Sequence, residues 1–231
     1  MDSPEQRTWV ERTAGQTYRP VTGVGVTAAI LIGLVLVREV LVAVANWRDY
    51  SLVHGYLAGT VSPSDIESAD SDFLEAIGGL FAGFAVWLVA GAAFLVWLWR
   101  ARLNSELIAG ASAHRRSRGW VVGGWITPIA NLWYPHQIMT DIWRASAVRK
   151  PVSVALVNAW WGFLAIGTVL IRPIQWRLAM QESVSEQDFL SNANVSTLFV
   201  ALELVAGVLA IVIIRRITGW QHERLISHSN G

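Results

Sequence analysis

Apolar residues run unbroken along this chain for lengths that soluble helices rarely need. A bilayer crossing takes about 20 predominantly apolar residues to traverse ~30 Å of hydrocarbon. Four stretches qualify, at about 21–45, 76–99, 152–174 and 195–214. Pro20 to Val37 carries no charge, nor does Ala76 to Trp99 or Val152 to Ile171, and only Glu203 interrupts the fourth stretch. A further uncharged segment, Gly119 to Thr140, holds Gly123-Gly124, Pro128 and Pro135, which break a straight helix. The pattern predicts a re-entrant or interfacial hairpin there, with a true fifth span as the alternative. After it, Ile138, Met139, Ile142, Trp143 and Ala145 share one helical face and Gln137, Asp141 and Arg144 another. That suits a short helix in the interface, so hairpin and interfacial helix are expected over about 119–147. Ser64 with Glu67 reads as a capping box, which predicts a short external helix from about Asp65 to Glu75. The expected architecture is an all-α integral membrane bundle of four transmembrane helices around a central hairpin, a single domain over 1–231.

Charge placement orients this bundle. Cytoplasmic loops collect Arg and Lys. Arg7, Arg12 and Arg19 precede the first span. Arg100, Arg102, Arg115, Arg116, Arg118, Arg144, Arg149 and Lys150 lie between the second and third, and Arg215, Arg216 and Arg224 follow the fourth. The other two loops are acidic: Asp49, Asp65, Glu67, Asp70, Asp72 and Glu75 in one, Glu182, Glu186 and Asp188 in the other. Four spans with both termini in the cytoplasm satisfy every segment, and the bacterial plasma membrane is the expected location. Trp47, Trp97, Trp99, Trp176 and Trp220 fall where interfacial aromatic belts belong. A cleaved signal peptide fits the N-terminal region poorly, because the first apolar run starts late and is long.

Composition narrows the chemistry. Of 231 residues, 53% are hydrophobic and 15% charged, against the ~25% charged usual in soluble domains. This excludes a disordered chain and a nucleic-acid binder and argues against a soluble enzyme. The absence of cysteine removes thiolate nucleophiles, Fe–S clusters and cysteine zinc sites. His54, His114, His136, His222 and His228 show no metal-ligand spacing, and none sits mid-span. No metal and no cofactor are expected, and neither a phosphate-binding loop nor a dinucleotide fingerprint occurs.

The distinctive stretch runs from Trp99 to Ser146. It reads Trp99-Arg100-Ala101-Arg102-Leu103-Asn104, then Gly119-Trp120, Gly124-Trp125, Pro128, Asn131-Leu132 and Pro135. It ends Asp141-Ile142-Trp143-Arg144-Ala145-Ser146. This order resembles a family of actinobacterial multi-pass membrane proteins known only as a domain of unknown function. The resemblance implies a membrane fold and no particular reaction.

Two candidate sites follow. In the first, Arg102, Asn104, Asn131, His136, Asp141 and Arg144 form a cytoplasmic-facing polar pocket walled by Trp120, Trp125, Trp133 and Trp143. Such a pocket would suit an anionic headgroup or a prenyl diphosphate; the plainer reading has the same residues pair with one another and with freed backbone groups. The second holds Arg38, Glu39 and Glu203, since charges inside spans are costly and call for a partner or a function. Arg38 lies about 26 Å along its helix from Val21, and Glu203 about 12 Å from Val195, at ~1.5 Å per residue. Arg38 and Glu203 are therefore expected to pair. Glu39, Glu203 and Asp141 are the candidate acid/base groups. Three function classes stay open: a structural or accessory membrane component acting through protein partners or as a homo-oligomer; a membrane-embedded enzyme on a lipophilic substrate, such as an isoprenoid cyclase or lipid-modifying enzyme; and a small transporter or channel subunit. Membrane lipid is an expected partner in all three, and nucleic acid in none.

Overall fold

The computed structural model describes residues 18–65, 79–181 and 185–229, and among these every regular element is helical. We number the helices α1 (Thr22–Leu57), α2 (Gly79–Ala109), α3 (Trp120–Ile126), α4 (Tyr134–Ser146), α5 (Ala155–Ala165), α6 (Arg172–Ala179) and α7 (Glu186–Ser229). A π-helical segment, Ile166–Ile171, joins α5 to α6 without a break. Among the described residues, four helices are long and apolar enough to cross a membrane: Thr22–Leu57, Gly83–Ala109, Ala155–Leu178 and Glu186–Arg224. Apolar side chains cover their outward faces. Val26, Ile30, Leu34 and Val37 on α1, and Phe84, Trp87 and Val89 on α2, are each more than half exposed. Apolar surface on that scale suits lipid rather than water. The helix expected from Asp65 to Glu75 lies, beyond Asp65, outside the described residues.

The described residues divide into two compact units. The first takes in 18–30, 91–161 and 209–229; the second takes in 31–65, 79–90, 162–181 and 185–208. Counted over these residues, the first unit carries 12 basic against three acidic residues, net +9, and the second carries four against six, net −2.

The first unit is built around the hairpin. Its core is Trp97, Leu98 and Ala101 from α2, Ile138, Met139, Ile142 and Trp143 from α4, and Ile213, Ile214 and Ile217 from α7, all essentially inaccessible. The segment 119–140 is two short helices with a turn between them. At ~1.5 Å per residue, α3 with seven residues is about 10 Å long and α4 with 13 about 20 Å. Neither reaches the ~30 Å of a hydrocarbon core. Pro135 occupies the first turn of α4, where its missing N–H is harmless. The arms approach closely because residue 124 is glycine. A Cβ there would lie 3.1 Å from the Cβ of Tyr134. At the tip, Ile129 has φ +64°, a costly conformation for a β-branched residue. The tip is also apolar and exposed: Ile126 73%, Ile129 70%, Leu132 46% and Trp133 43%.

Of the residues expected on the polar face of α4, Asp141 is buried, as are the neighbouring Thr140 and Ser146, while Arg144 is exposed. The apolar side of α4 packs into the core as expected. Its polar side is covered by the preceding loop, which supplies a cation for Asp141.

The second unit joins α1 to α7 through polar contacts. The indole of Trp47 donates to Thr197 Oγ1 at 2.8 Å, Asn192 donates to Asn46 at 3.3 Å, and His54 meets Glu186 at 2.6 Å.

Candidate functional site

The densest chemistry in the first unit is a buried cluster of guanidinium and carboxylate groups. Arg102 and Glu106 stand four residues apart on α2, so both side chains project from one helical face. Arg102 Nε and Nη2 each lie 2.8 Å from Glu106 Oε1, and Nη2 also donates to the carbonyl of Arg116 at 2.9 Å. From the loop after α2, Arg118 holds the other oxygen: Nε lies 2.7 Å and Nη2 2.6 Å from Glu106 Oε2. Glu106 therefore sits between two guanidiniums. Its side chain and that of Arg102 are 4% and 3% exposed, whereas Arg118 reaches the surface at 47%. Arg102 Nη1 is buried and has no hydrogen-bond partner among the described residues.

The same loop grips α4. Asp141 accepts the backbone N–H of Arg115 at 2.9 Å and its Nε at 3.0 Å, with Nη2 at 2.9 Å. Arg116 donates to Gln137 Oε1 at 2.9 Å and to the Tyr134 hydroxyl at 3.0 Å, and lies 3.9 Å from the Tyr134 ring centroid. His114 is buried, with Nε2 3.2 Å from Ser105 Oγ. Burial, reinforced by the neighbouring positive charge of Arg102, pushes its pKa down to about 4, so the ring is neutral at pH 7.

A second polar layer ties four chain segments together. Asn104 Oδ1 accepts the Arg19 N–H at 3.0 Å, while Nδ2 donates to the Arg19 carbonyl at 2.8 Å and to Gln221 Oε1 at 3.2 Å. Gln221 Nε2 donates to the Ala101 carbonyl at 2.9 Å and to Ser146 Oγ at 2.8 Å. Both amides are fully used, and both residues are buried, so this layer fixes geometry rather than offering a site.

Of the residues singled out from the sequence, Arg102 and Asp141 join the guanidinium–carboxylate cluster and Asn104 the second polar layer. Trp143 is buried beside it, its indole donating to the Ser153 carbonyl at 3.0 Å. Trp125 joins an aromatic group with Phe94, Trp160 and Trp161 at 5.5–6.5 Å between centroids. Trp120 packs edge-on against Tyr134 at 4.8 Å. His136 meets Asn158 Oδ1 at 2.8 Å. Trp133, though exposed, meets Tyr134 edge-on at 6.5 Å, and the exposed Asn131 and Arg144 join none of these groups. Glu106, His114, Arg115, Arg116, Arg118 and Gln221 were not singled out as site residues. The i, i+4 spacing of Arg102 and Glu106 was the available signal for the first; the loop arginines read only as orienting charge.

The intramembrane charges lie in the second unit. Arg38 pairs with its neighbour Glu39 at 3.0 Å, not with Glu203 as expected. The guanidinium occupies the space that Gly83 leaves, where a Cβ would come within 2.2 Å of Arg38 Cζ. Among the described residues, no cation lies within 4.0 Å of Glu203. The charges acting on it are those of Arg172 and Glu39. Arg172 stacks over Phe199 at 4.9 Å, and Glu203 Oε1 lies 3.9 Å from where a Cβ of Gly167 would be, within the π-helical segment. No group of three or more metal-ligating side chains occurs among the described residues.

The model of a family described as a domain of unknown function (DUF4328) matches residues 59–219. The chain belongs to the DUF4328 family. No curated protein and no solved structure matches it. The DUF4328 match contains α2, the hairpin, the third span and most of α7, and with them Arg102, Glu106, Arg115, Arg118 and Asp141. Helix α1, with Arg38 and Glu39, precedes the DUF4328 match, and Gln221 follows it.

Proposed function

We propose that this protein is an accessory component of the bacterial plasma membrane that acts through protein partners or further copies of itself. One observation carries the reading: the buried carboxylates of the central cluster are committed to guanidiniums of the same chain. Glu106 is held by Arg102 and Arg118, and Asp141 by Arg115. An acid or base for catalysis needs a proton it can exchange with substrate, and a carboxylate between two arginines is instead fixed as an anion. The cluster anchors a loop and a hairpin.

The orientation in this proposal places both termini and the net +9 unit on the cytoplasmic side, in keeping with the positive-inside rule. The hairpin tip dips into the apolar phase in this reading. Its support is the exposure of Ile126, Ile129, Leu132 and Trp133.

Deletion of the gene, with complementation, tests the accessory role. Glu39→Gln and Glu203→Gln should both restore the wild-type phenotype. Native gels of detergent-extracted membranes should place the 25.4 kDa chain in a larger species of defined composition. A lipid that accumulates in the deletion strain and is not cleared by these two variants would overturn the reading in favour of a membrane-embedded enzyme.

A second reading has an observation of its own. Glu203 lacks an ion-pair partner among the described residues and abuts a π-helical turn, a feature often found at functional sites. This favours a small transporter or channel subunit. Ion flux in proteoliposomes that Glu203→Gln abolishes would establish it over the accessory role.

A further inference from the structure

The first unit treats its arginines in two ways. Around Glu106 and Asp141 each guanidinium meets a carboxylate or another acceptor. A few residues further on, charges of both signs line one open groove of about 520 Å³ without pairing. Arg149, Arg216 and Glu223 line it together with Trp143, Ser153 and Trp220. Neither arginine makes a hydrogen bond or ion pair with any described residue, although Glu223 lines the same groove. All three charged residues are exposed. The floor is formed by two tryptophans packed edge-on, with ring centroids 4.5 Å apart. The indole N–H of Trp143 is engaged by the Ser153 carbonyl, while that of Trp220 has no acceptor among the described residues.

The depth of this groove is set by the chain. Ile211 to Ile214 end the apolar run of α7, and Arg215-Arg216 follow at once. Val152 starts the apolar run leading into α5, and Arg149-Lys150 precede it. The groove therefore lies where two spans pass from apolar to polar, the level at which phosphate groups sit. Tryptophan prefers that level as well.

We propose that this groove binds the headgroup of an anionic phospholipid bearing hydroxyls, of the phosphatidylglycerol type. Arg149 and Arg216 hold the phosphate, the Trp220 indole N–H donates to a phosphate or ester oxygen, and Glu223 accepts from a headgroup hydroxyl. The lining charge is +1 from two arginines and one glutamate, which one phosphate monoanion neutralises. Arginine forks suit phosphate oxygens, and Glu223 disfavours a second anion. The inference needs only the spans and is independent of which proteins the chain works with.

The test uses the full-length chain in neutral detergent. It is titrated with dioctanoyl phosphatidylglycerol, dioctanoyl phosphatidylcholine and glycerol phosphate, and bound ligand is counted by native mass spectrometry. Phosphatidylglycerol should saturate at one molecule per chain, with the other two at least tenfold weaker. Each Arg or Lys near an anionic lipid is worth about a fivefold change in affinity. Arg149→Gln with Arg216→Gln should therefore weaken phosphatidylglycerol about thirtyfold. Lys150→Gln with Arg215→Gln, which removes the same charge beside the groove, should change it less than threefold. Both groove arginines are exposed, so the lipid-free melting temperature should hold. Equal losses in the two double variants would reduce the effect to diffuse attraction and overturn the site. Equal binding of phosphatidylcholine, or glycerol phosphate competing as well as the lipid, would overturn it too.

Discussion

Replacing Glu106 with Gln is expected to be the most damaging single change in the central cluster, and the structure gives the reason. The variant nearly keeps the shape and leaves two guanidiniums without their counter-charge. For Arg102, 3% exposed, water cannot substitute, and an uncompensated buried charge costs about 3–5 kcal/mol. For Arg118, 47% exposed, solvent screens the loss, which adds no more than about 1 kcal/mol. The complementary changes are milder. Arg102→Met leaves Glu106 paired to Arg118 and orphans the Arg116 carbonyl, at about 1–3 kcal/mol. Arg118→Gln leaves the buried pair intact and should cost less than about 1 kcal/mol. Removing both buried charges with Glu106→Met and Arg102→Met should recover most of the Glu106→Gln loss, because a buried pair replaced by apolar groups is often close to neutral. Equilibrium unfolding of the purified chain in mixed micelles measures each difference. Equal losses at 102, 106 and 118, or a double variant that adds the two single losses, would refute the assignment of Glu106 as the shared anion of this cluster.

Three further outcomes follow from other parts of the molecule. His114, with its pKa pushed down to about 4 by burial and Arg102, binds its proton more weakly folded than unfolded, where ~6.5 applies. Its contribution is therefore complete above about pH 6.5 and is lost as pH falls toward 4, by about 2–3 kcal/mol; His114→Gln should flatten the stability profile in that window. Gly83→Ala places a Cβ within 2.2 Å of Arg38 Cζ and should cost about 1–3 kcal/mol in the same unfolding assay, with Arg38→Met restoring most of it; no rescue would show that the guanidinium is not what fills the space. Because the chain has no cysteine, Ser64→Cys and Ser185→Cys should react with an impermeant thiol reagent on intact cells, and Ser112→Cys only after permeabilisation; the reverse pattern would invert the proposed orientation.

The long elements were legible because hydrocarbon thickness imposes one demand, length without charge, and a sequence displays that directly. The four apolar runs became the cores of four helices, though α1 and α7 continue well beyond them, to Leu57 and Ser229. Water-exposed helical turns carry no hydropathy signal, so their ends were invisible. The break in the hairpin was visible at Pro128, which follows the end of α3, whereas Gly123-Gly124, expected to break the helix too, lie inside α3 because a glycine pair costs a helix far less than a proline does. Partner choice was the least legible feature. Arg38 was assigned to Glu203 from depth along two helices. Depth says nothing of azimuth, and Gly83 opened a space beside Glu39 instead. Asp141 shares a helical face with Arg144, yet its partner is Arg115, 26 positions earlier, which spacing along α4 does not show.

The positive-inside count treats every arginine alike, and the structure divides them. Arg102, Arg115, Arg116 and Arg118 are engaged with side chains or carbonyls of their own unit. Arg100 donates to the Pro20 carbonyl and Arg224 to that of Ala147. In this unit the exposed cations whose side chains have no partner among the described residues are Arg19, Arg144, Arg149, Lys150, Arg215 and Arg216. They flank three apolar runs: Arg19 just before that of α1, Arg144 to Lys150 just before that of α5, and Arg215-Arg216 just after that of α7. A charge already paired in a buried cluster adds little to the field outside, whereas an exposed one acts over a Debye length of ~8–10 Å. The outward field of this unit is thus concentrated beside three span ends, and the loop at 115–118 contributes much less than its charge suggests. Substitutions of Arg149 and Arg216 should accordingly alter lipid selectivity with little change in stability. Those at 102, 106 and 141 should act in the opposite sense, on stability first.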